Sequence, residues 1–570
     1  MSKRIEPHGG SLKVLYLPAD EAAAAKRDSV ALPSWPLTQR QICDIKLLLN
    51  GGFSPLSGFL NEADYDCVLE AMRLADGTLW PMPVTLDVTE AAAEPLSVGD
   101  RLALRDHEGW LIAILSIESL WRPDKRREAE QVFATADEEH PGVDYLLNRA
   151  HPVYLGGRLE GIERPVDHDF IQHRHEPAEL RRQFDQRGWS RVVAYQTRTP
   201  MHRAHQALAA RAAQSLEANL LIHPVVGMTQ PGDIDHFCRV RCYEHVLKTL
   251  PEQTTMLSLL ELAMRMAGPR EALWHALIRK NYGCTHFIVG PRHASPDMEG
   301  AGKAFYEPYA AQDLLRDLAS ETGIEMFPIR EMVYVEERGH YVASDEIAAG
   351  ETVLRLSEAE LHRRLQDGAA VPHWFSFAEV IDELRRSYPP RHRQGFTVFF
   401  TGLSGAGKST LAKALMVKLQ ELGGRSVTLL DGDRVRQHLS SELGFSKAHR
   451  DLNILRIGYV ASEITKAGGI AICAPIAPYA AIRRQVRDLV EAAGRFVEIY
   501  VSTPLEVCER RDPKGLYARA RAGLIEHFTG IDDPYEAPSR PELEIDTQGQ
   551  RPEEAAQRIL LKLENLGLIE

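Results

Sequence analysis

Residues 402–409 read GLSGAGKS, the G-x-x-x-x-G-K-[ST] spacing of a phosphate-binding loop. An apolar run, VFFT, precedes it and a helical pattern, TLAKALMVKL, follows it, which is the strand–loop–helix context the motif requires. The chemistry follows from the residue types. Glycines at 402, 405 and 407 let the backbone N–H groups of Gly402, Leu403, Ser404, Gly405, Ala406 and Gly407 curl around phosphate oxygens, with Thr410 entering the helix behind them. Lys408 has the reach for the β/γ oxygens of ATP, and Ser409 for a Mg²⁺ ion. The start of a helix adds favourable electrostatics for an anion. Thirty residues on, DGDRVRQHL begins where a strand pattern ends. Asp433 is suited to accept a proton from an attacking hydroxyl, Asp431 to approach the metal, and Arg436 to meet an anionic substrate; Asp-Gly is equally an ordinary turn sequence.

A second stretch, QTRTPMHRAH at 196–205, packs two arginines, two histidines and an amide behind the apolar run VVAY, a phosphate-handling composition. Gln196, Thr197, Arg198, Thr199, His202 and His205 are its candidate residues.

Two different α/β patterns must position these groups. Up to about residue 165, short apolar runs separated by Gly and Pro predict a mostly β domain with a few helices. From about 166 to 325, apolar strands (RVVAY, NLLIHPVV, THFIVG) alternate with helical stretches (HRAHQALAARAAQSL, DIDHFCRVRCYEHVLKTL, PREALWHALIRKNY), which predicts a parallel sheet. Residues 326–390 read as a small subdomain ending in a linker, SYPPRHRQG. A second α/β unit then runs from 391 to 570, with FTVFF, RSVTLLDGD and RFVEIYVST as strands.

The bulk numbers bound the rest. A chain of 570 residues exceeds one core and predicts three or four domains. A net charge of −13 argues against a general nucleic-acid binder, while leaving room for local basic pockets. Seven cysteines without framework spacing predict reduced thiols in a cytoplasmic protein. Cys238 and Cys242 sit four apart and share a predicted helix face as unpaired thiols. With no CxxC pair or His/Cys quartet, no structural zinc is expected. The start, MSKRIEPHGGSLKVL, has no signal-peptide core, and no apolar run reaches the ~18 residues of a membrane span.

GLSGAGKST, DGDRVR, LGFSKAHRDLN, ERRDPKGLYARARAG and FTGIDDPYEAP together resemble adenosine 5′-phosphosulfate (APS) kinase almost throughout 395–570, with FTGIDDPYE the most specific. The resemblance implies that Phe445 and Phe528 sandwich the adenine of APS. It also implies that Asp433 is the base and that Arg436, Arg450, Asn453 and Lys514 bind the substrate. Arg510 and Arg511 fall where that family has a mobile lid over ATP. Many relatives carry a serine in F-I-S-P-Y, sometimes described as a phosphoryl carrier. This chain has PIAPY, with Ile476 and Ala477 beside the substrate, so direct in-line transfer to the 3′-hydroxyl is the expectation. Leu455 stands where N-I-R-R would place an arginine, which predicts an adjusted affinity.

RQICDIKLLLNGGFSPLSGFLNEADY, LWPMPVTLDV, QTRTPMHRAHQ, IHPVVG, PGDIDHFCRVRCYE and VPHWFSFAEV resemble ATP sulfurylase across nearly all of the first 390 residues. That implies a PUA-like β-rich domain followed by a Rossmann-like nucleotidylyltransferase domain. It also implies sulfate on Gln196 and Arg198, and phosphates on His202 and His205. The departures fall on the parts that touch ATP and sulfate. Q-T-R-N-P has become QTRTP at Thr199, and G-R-D-H-A-G has become GPRHAS, with Pro291, Arg292, His293, Ala294 and Ser295. T-K-P-G-D has become TQPGD at Gln230. Asn to Thr removes an amide donor, Arg to Pro removes a charge and an N–H, and Lys to Gln removes a cation. Each lost preorganised donor typically costs ~10²–10³ in rate, though such losses need not add. Arg292 is adjacent to the lost arginine, but neighbours in an extended loop point apart, so a simple rescue is not expected.

The leading expectation is therefore an APS kinase fused to a silent or impaired sulfurylase-like domain, using ATP, APS and Mg²⁺ and assembling as a homo-oligomer, dimer or hexamer. The alternatives are a working bifunctional synthetase of PAPS (the 3′-phosphorylated form of APS), a front half that only binds APS or nucleotide to regulate the kinase, and a generic small-molecule P-loop kinase.

Overall fold

FTVFFT is apolar on both of its faces, and both are buried: Phe396–Thr401 is the central strand of a five-stranded sheet. The order across that sheet is Val427–Asp431, Ile470–Ala474, Phe396–Thr401, Arg495–Val501, Leu543–Ile545, with every pairing parallel. Continuous Val/Ile/Phe runs are what a parallel sheet covered on both sides demands. Helices Lys408–Leu422 and Pro552–Asn565 contribute Leu411, Leu415, Ile559 and Leu563 to the core on one face. Lys447–Lys466 and Ala480–Glu491 contribute Ile457, Ala461, Ile482 and Val486 on the other. The computed structural model describes residues 5–230, 233–296, 304–444, 446–525 and 527–570, and of Asp433 only the backbone.

The chain divides into two compact units, 1–357 with 371–384 and 358–370 with 385–570. The stretch 326–390 is thus shared. Glu325–Pro328 completes the middle sheet of the first unit, and Met332–Val335, His340–Ala343 and Val353–Leu354 form a small sheet of their own. Helix Glu358–Gln366 groups with the second unit.

The first unit opens with a six-stranded, largely antiparallel sheet running Ser34–Pro36, Arg101–Arg105, Leu111–Trp121, Val153–Gly161, Gly58–Phe59, with Leu86–Val88 also on Val153–Gly161. A second, parallel sheet follows in the order Glu325–Pro328, His286–Val289, Val192–Tyr195, Asn219–Ile222, Thr255–Leu257. The expected strands in 192–195, 219–222 and 286–289 are present, as are helices Arg203–Ser215, His236–Leu247 and Gly268–Asn281. Thr255–Leu257 and Glu325–Pro328 are short edge strands that the apolar pattern did not single out. Strand order reverses at Val192–Tyr195, which lies between His286–Val289 and Asn219–Ile222. Ligands bind open α/β sheets at such switch points, outside the carboxyl ends of the strands. Residues 196–199 and 290–294 both leave the sheet there.

Candidate active sites

In the second unit the phosphate loop leaves the carboxyl end of Phe396–Thr401 and turns into helix Lys408–Leu422. Gly402 has φ +148°, and a Cβ there would lie 2.5 Å from the carbonyl oxygen of Val501. Gly407 has φ +107° and packs against Thr547. A side chain is excluded at Gly402, and at Gly407 the positive φ and the 3.2 Å approach to Thr547 both disfavour one, so the motif's glycines are explained by geometry. The loop is tied from behind. Thr503 Oγ1 and Thr547 Oγ1 donate to the Ala406 carbonyl at 3.0 and 2.8 Å, and Tyr517 OH donates to the Ser404 carbonyl at 2.8 Å. These bonds turn the Ser404 and Ala406 carbonyls away from the loop's mouth; of the loop N–H groups, Gly402 donates to the Ile476 carbonyl at 3.4 Å and Ala406 to the Leu403 carbonyl at 3.2 Å. Lys408 is 7% exposed, and its ammonium donates to the carbonyls of Gly402 and Leu403 at 2.9 and 2.7 Å. The exposed Ser409 hydroxyl donates to Asp431 Oδ2 at 2.8 Å, at the end of Val427–Asp431. A hydroxyl and a carboxylate are the hard oxygen donors that Mg²⁺ prefers.

Asp433 is the second residue of the short helix Gly432–His438, on the same sheet edge. Arg436, in the same helix, donates to the carbonyls of Leu443 and Gly444 at 3.2 and 3.1 Å. Phe445 lies outside the described residues.

Arg450 and Asn453 are three apart on helix Lys447–Lys466, hence on one face. Arg450 pairs with Asp533 at 2.8 Å and donates to Thr529 Oγ1 at 3.0 Å and Tyr479 OH at 2.9 Å. Tyr479 OH donates to the same Asp533 oxygen at 2.7 Å. Burial, then the Asp533 hydrogen bond, pushes the Tyr479 phenol up to about 12, so it stays protonated. Asn453 is buried and its amide oxygen has no protein partner among the described residues. A polar atom left unpaired in this way marks a place that a ligand or water fills. Phe528 packs edge-on to Tyr517 with ring centroids 5.0 Å apart. Its loop is held by Asp532, whose carboxylate accepts from the N–H groups of His527 and Phe528 at 2.6 and 2.5 Å. Ala477 is fully buried at φ +46° beside Ile476, whose carbonyl accepts from Thr401 Oγ1 at 2.8 Å. Arg511 donates to Thr547 Oγ1 at 2.8 Å and to the Gly405 carbonyl at 3.4 Å, beside the phosphate loop; Arg510 and Lys514 are exposed on the same segment.

In the first unit, His202 precedes helix Arg203–Ser215 and its backbone N–H donates to His205 Nδ1 at 3.1 Å. An accepting Nδ1 requires the proton on Nε2, so His205 presents an N–H donor while neutral. His202 Nδ1 meets Ser376 Oγ at 2.8 Å, and its ring packs at a tilt against Phe375 with centroids 4.6 Å apart. Burial, with His205 adding to it, lowers His202 to about 3; burial lowers His205 to about 4. The H-x-x-H pair therefore offers neutral donors, not imidazolium charge.

Arg198 forms an ion pair with Asp233, and both side chains are largely buried. The Arg198 carbonyl accepts from Arg239 at 2.9 Å. Thr199 folds back locally: its N–H donates to Thr197 Oγ1 at 3.1 Å, and its carbonyl accepts from Tyr243 OH at 2.9 Å. The buried Gln196 side-chain oxygen has no protein partner among the described residues. Gln230 donates its N–H to Asp233 Oδ2 at 3.2 Å, and Pro231 and Gly232 lie outside the described residues.

The segment 290–296 corrects one premise of the sequence reading. It is a turn, not an extended loop: Arg292 and Ala294 have φ +55° and +54°, and Ser295 N–H donates to the Arg292 carbonyl at 3.1 Å. Pro291 fixes φ on entry, and the chain then reverses through two left-handed residues. Side-chain alternation along a strand therefore cannot be used to aim Arg292, which is exposed. His293 points inward: its Nε2 lies 3.1 Å from His275 Nδ1, and burial, then His275, drives it well below the usual histidine range.

Tyr479, Thr529 and Asp533 contact Arg450 or its partners, and Ser376 contacts His202; none of the four was singled out from sequence. The first three lie inside PIAPY and FTGIDDPYE, so the motifs carried them unnamed. Ser376 meets His202 across 174 residues of chain, a separation no local pattern reports.

The chain is similar to known proteins over its whole length. The family model for a PUA-like domain matches residues 5–164, that for ATP-sulfurylase matches 171–387, and that for adenylylsulphate kinase matches 394–546. A sulfate adenylyltransferase of Chaetomium globosum is 50% identical over 568 residues, 99% of each chain. Another from Neosartorya fischeri is 50% identical over 569 residues, again 99% of each. A solved structure described as a hexameric APS kinase from Thiobacillus denitrificans superposes with a TM-score of 0.82 at 42% identity, covering 100% of both chains. Among the described residues, no helix is long and apolar enough to cross a membrane, and no group of three His, Cys, Asp or Glu residues could hold a metal ion. With a nucleotidylyltransferase sheet and a phosphate-loop sheet in one polypeptide, and full-length relatives at half identity, the chain belongs to the sulfate adenylyltransferase family in which an ATP-sulfurylase domain is fused to an APS kinase domain.

Proposed function

We propose that the working activity of this chain is APS kinase: transfer of the γ-phosphoryl of ATP to the 3′-hydroxyl of APS, giving PAPS and ADP. The observation that carries it is the phosphate loop, with Lys408 and the Ser409–Asp431 pair at its mouth. Residues 402–410 hold the ATP phosphates, and Arg510 and Arg511 close on them. Ser409 and Asp431 would hold Mg²⁺, which neutralises charge on the triphosphate when bound. Asp433 takes the proton of the 3′-hydroxyl. Arg436, Arg450, Asn453 and Lys514 hold the phosphosulfate end of APS, with Ile476 and Ala477 lining it; Phe445 and Phe528 hold the adenine. Ala477 has no hydroxyl, so a phosphoserine cannot form there and transfer is direct.

We further propose that the ATP-sulfurylase half is silent or strongly impaired. Thr199, Pro291 and Gln230 stand where the sulfurylase motifs have Asn, Arg and Lys, and the loss of three phosphate donors supports the reading. The Thiobacillus denitrificans protein, alike over the whole chain, is described simply as an APS kinase, which favours the same conclusion, and as hexameric, which favours a homo-oligomer here. A cytoplasmic location fits ATP and APS as substrates.

The second reading is a bifunctional PAPS synthetase. The relatives at 50% identity are named sulfate adenylyltransferases, and Gln196, Arg198, His202, His205 and His293 are retained. Two assays on one preparation separate the two. APS with ATP is expected to give PAPS. APS with pyrophosphate is expected to give no ATP, and Thr199→Asn, Pro291→Arg and Gln230→Lys together are expected to restore some. Brisk ATP formation by the unaltered chain would overturn the silent-domain reading; absent PAPS would overturn the kinase reading.

A further inference from the structure

Segment 475–479 joins strand Ile470–Ala474 to helix Ala480–Glu491 and passes against the base of the phosphate loop, where Gly402 N–H donates to the Ile476 carbonyl at 3.4 Å. At Ala477 the chain takes a left-handed turn, φ +46°, with the residue fully buried. A non-glycine residue holds that conformation only where its surroundings over-determine it. Two donors do so here. Thr401 Oγ1 reaches the Ala477 carbonyl at 3.2 Å, and Arg483 Nη1 reaches it at 2.8 Å.

Arg483 is 4% exposed and joins three separate pieces of the unit. Nη1 holds the turn at Ala477, Nη2 donates to the Glu536 carbonyl at 2.6 Å, and Nε lies 3.1 Å from Glu498 Oε1 on strand Arg495–Val501. Glu536 returns to the same segment: its N–H donates to the Pro478 carbonyl at 2.8 Å, and its carboxylate caps Ala480 N–H at 2.6 Å. A cation in the first turn of a helix opposes the helix dipole. Its place there is explained by the three acceptors it serves, not by the helix. Tyr479, two residues beyond Ala477, carries the hydroxyl that meets Arg450 and Asp533.

We propose that Arg483 is a positioning residue of the APS site: by fixing the left-handed turn at Ala477 and the 536 loop together, it sets where Tyr479, Arg450 and Asp533 stand. It touches no substrate and acts through these groups. The far side of the phosphate loop is tied by Thr503, Thr547 and Tyr517, none of which bonds Arg483 among the described residues, and segment 475–479 reaches the loop only at its first residue, Gly402. Loss of Arg483 therefore weakens APS and spares ATP. This rests on the kinase reading above.

The test is steady-state PAPS formation by the full chain, with KM measured separately for APS and ATP. R483Q is expected to raise the APS KM by ~10-fold or more, as loss of a charged hydrogen bond does, while the ATP KM stays within about twofold. R483K, which keeps the charge and some donors, is expected to recover part of the APS affinity. If R483Q does not fold, R483K and T401V carry the comparison, each expected to shift the APS KM selectively. Equal rises in both KM values, or a lower melting temperature with both KM values unchanged, would make Arg483 an ordinary core ion pair and overturn the proposal. An unaltered chain that makes no PAPS would instead sink the kinase reading, so the two failures are distinguishable.

Discussion

At the scale of single residues, the kinase site separates binding groups from structural ones by their partners. Lys408 is the clearest case. Its ammonium is buried against two loop carbonyls, so it shapes the loop, and in the proposed kinase reaction it would also supply charge to the phosphates. Lys408→Ala is expected to lower kcat by ~10²–10³, the usual cost of one preorganised donor. A melting-temperature measurement alongside the assay checks that the loop's collapse has not unfolded the domain; wild-type turnover would remove Lys408 from the site. The histidines of the first unit show the opposite lesson. His202 and His205 sit in a motif that invites a cationic reading, yet burial holds them at about 3 and about 4. Their use toward an anion is as N–H donors, and His205 has its tautomer imposed by a backbone N–H.

At the scale of elements, the proposed APS side brings a helix, a strand-to-helix connection and the FTGIDDPYE loop together. Helix Lys447–Lys466 presents Arg450, segment 475–479 presents Tyr479, and the loop presents Thr529 and Asp533. Asp533 is the shared acceptor, so Asp533→Asn removes the charge that orders both partners. A charged hydrogen bond is worth about 1.5–3 kcal/mol, which predicts an APS KM raised ~10- to 100-fold. The ATP KM is expected to hold, because Thr503, Thr547 and Tyr517 tie the phosphate loop from the side away from Asp533. Kinetics with each substrate varied in turn give the answer, and an unchanged APS KM would detach this network from substrate binding. Such elements were legible in part. The glycine loop and its flanking strand and helix could be placed from spacing, because each side of that turn obeys a local rule. The turn at 290–296 could not, since two left-handed residues, Arg292 and Ala294, carry no glycine to announce them.

At the scale of the whole molecule, the two units differ in how they use histidine. His8, His140, His202, His205, His223, His275 and His293 all lie in the first unit, and burial is the main cause that lowers each of them. The sign follows directly. Below about pH 6.5 the unfolded chain takes up protons on these residues while the folded unit does not. Stability therefore falls as pH drops from about 6.5 toward the folded values, about 4 for His140 and His205 and about 3 for His202. Calorimetry of the full chain between pH 8 and pH 4.5 is expected to show the first unit's transition moving steadily to lower temperature below pH ~6.5. A transition flat across that range would contradict the buried neutral state of these histidines.

By itself the sequence determined the family, the order of the domains and the alternation of strand and helix in the two α/β parts, but not the small antiparallel sheet within 332–354. Those depend on local matters: a glycine spacing that only phosphate-binding backbone needs, apolar runs long enough for buried parallel strands, and motifs such as FTGIDDPYE that tolerate little change. It also carried the substitutions at Thr199, Pro291 and Gln230, which are facts of composition. Tertiary structure alone decided which groups are spent internally. That Arg198 is engaged by Asp233, that His202 is met by Ser376, and that Arg483 joins Ala477, Glu536 and Glu498 are contacts between residues distant in the chain. The physical reason is that a charge or a donor has no fixed role until its partners and burial are known, and those are set by the packing of separate elements, not by neighbours in sequence.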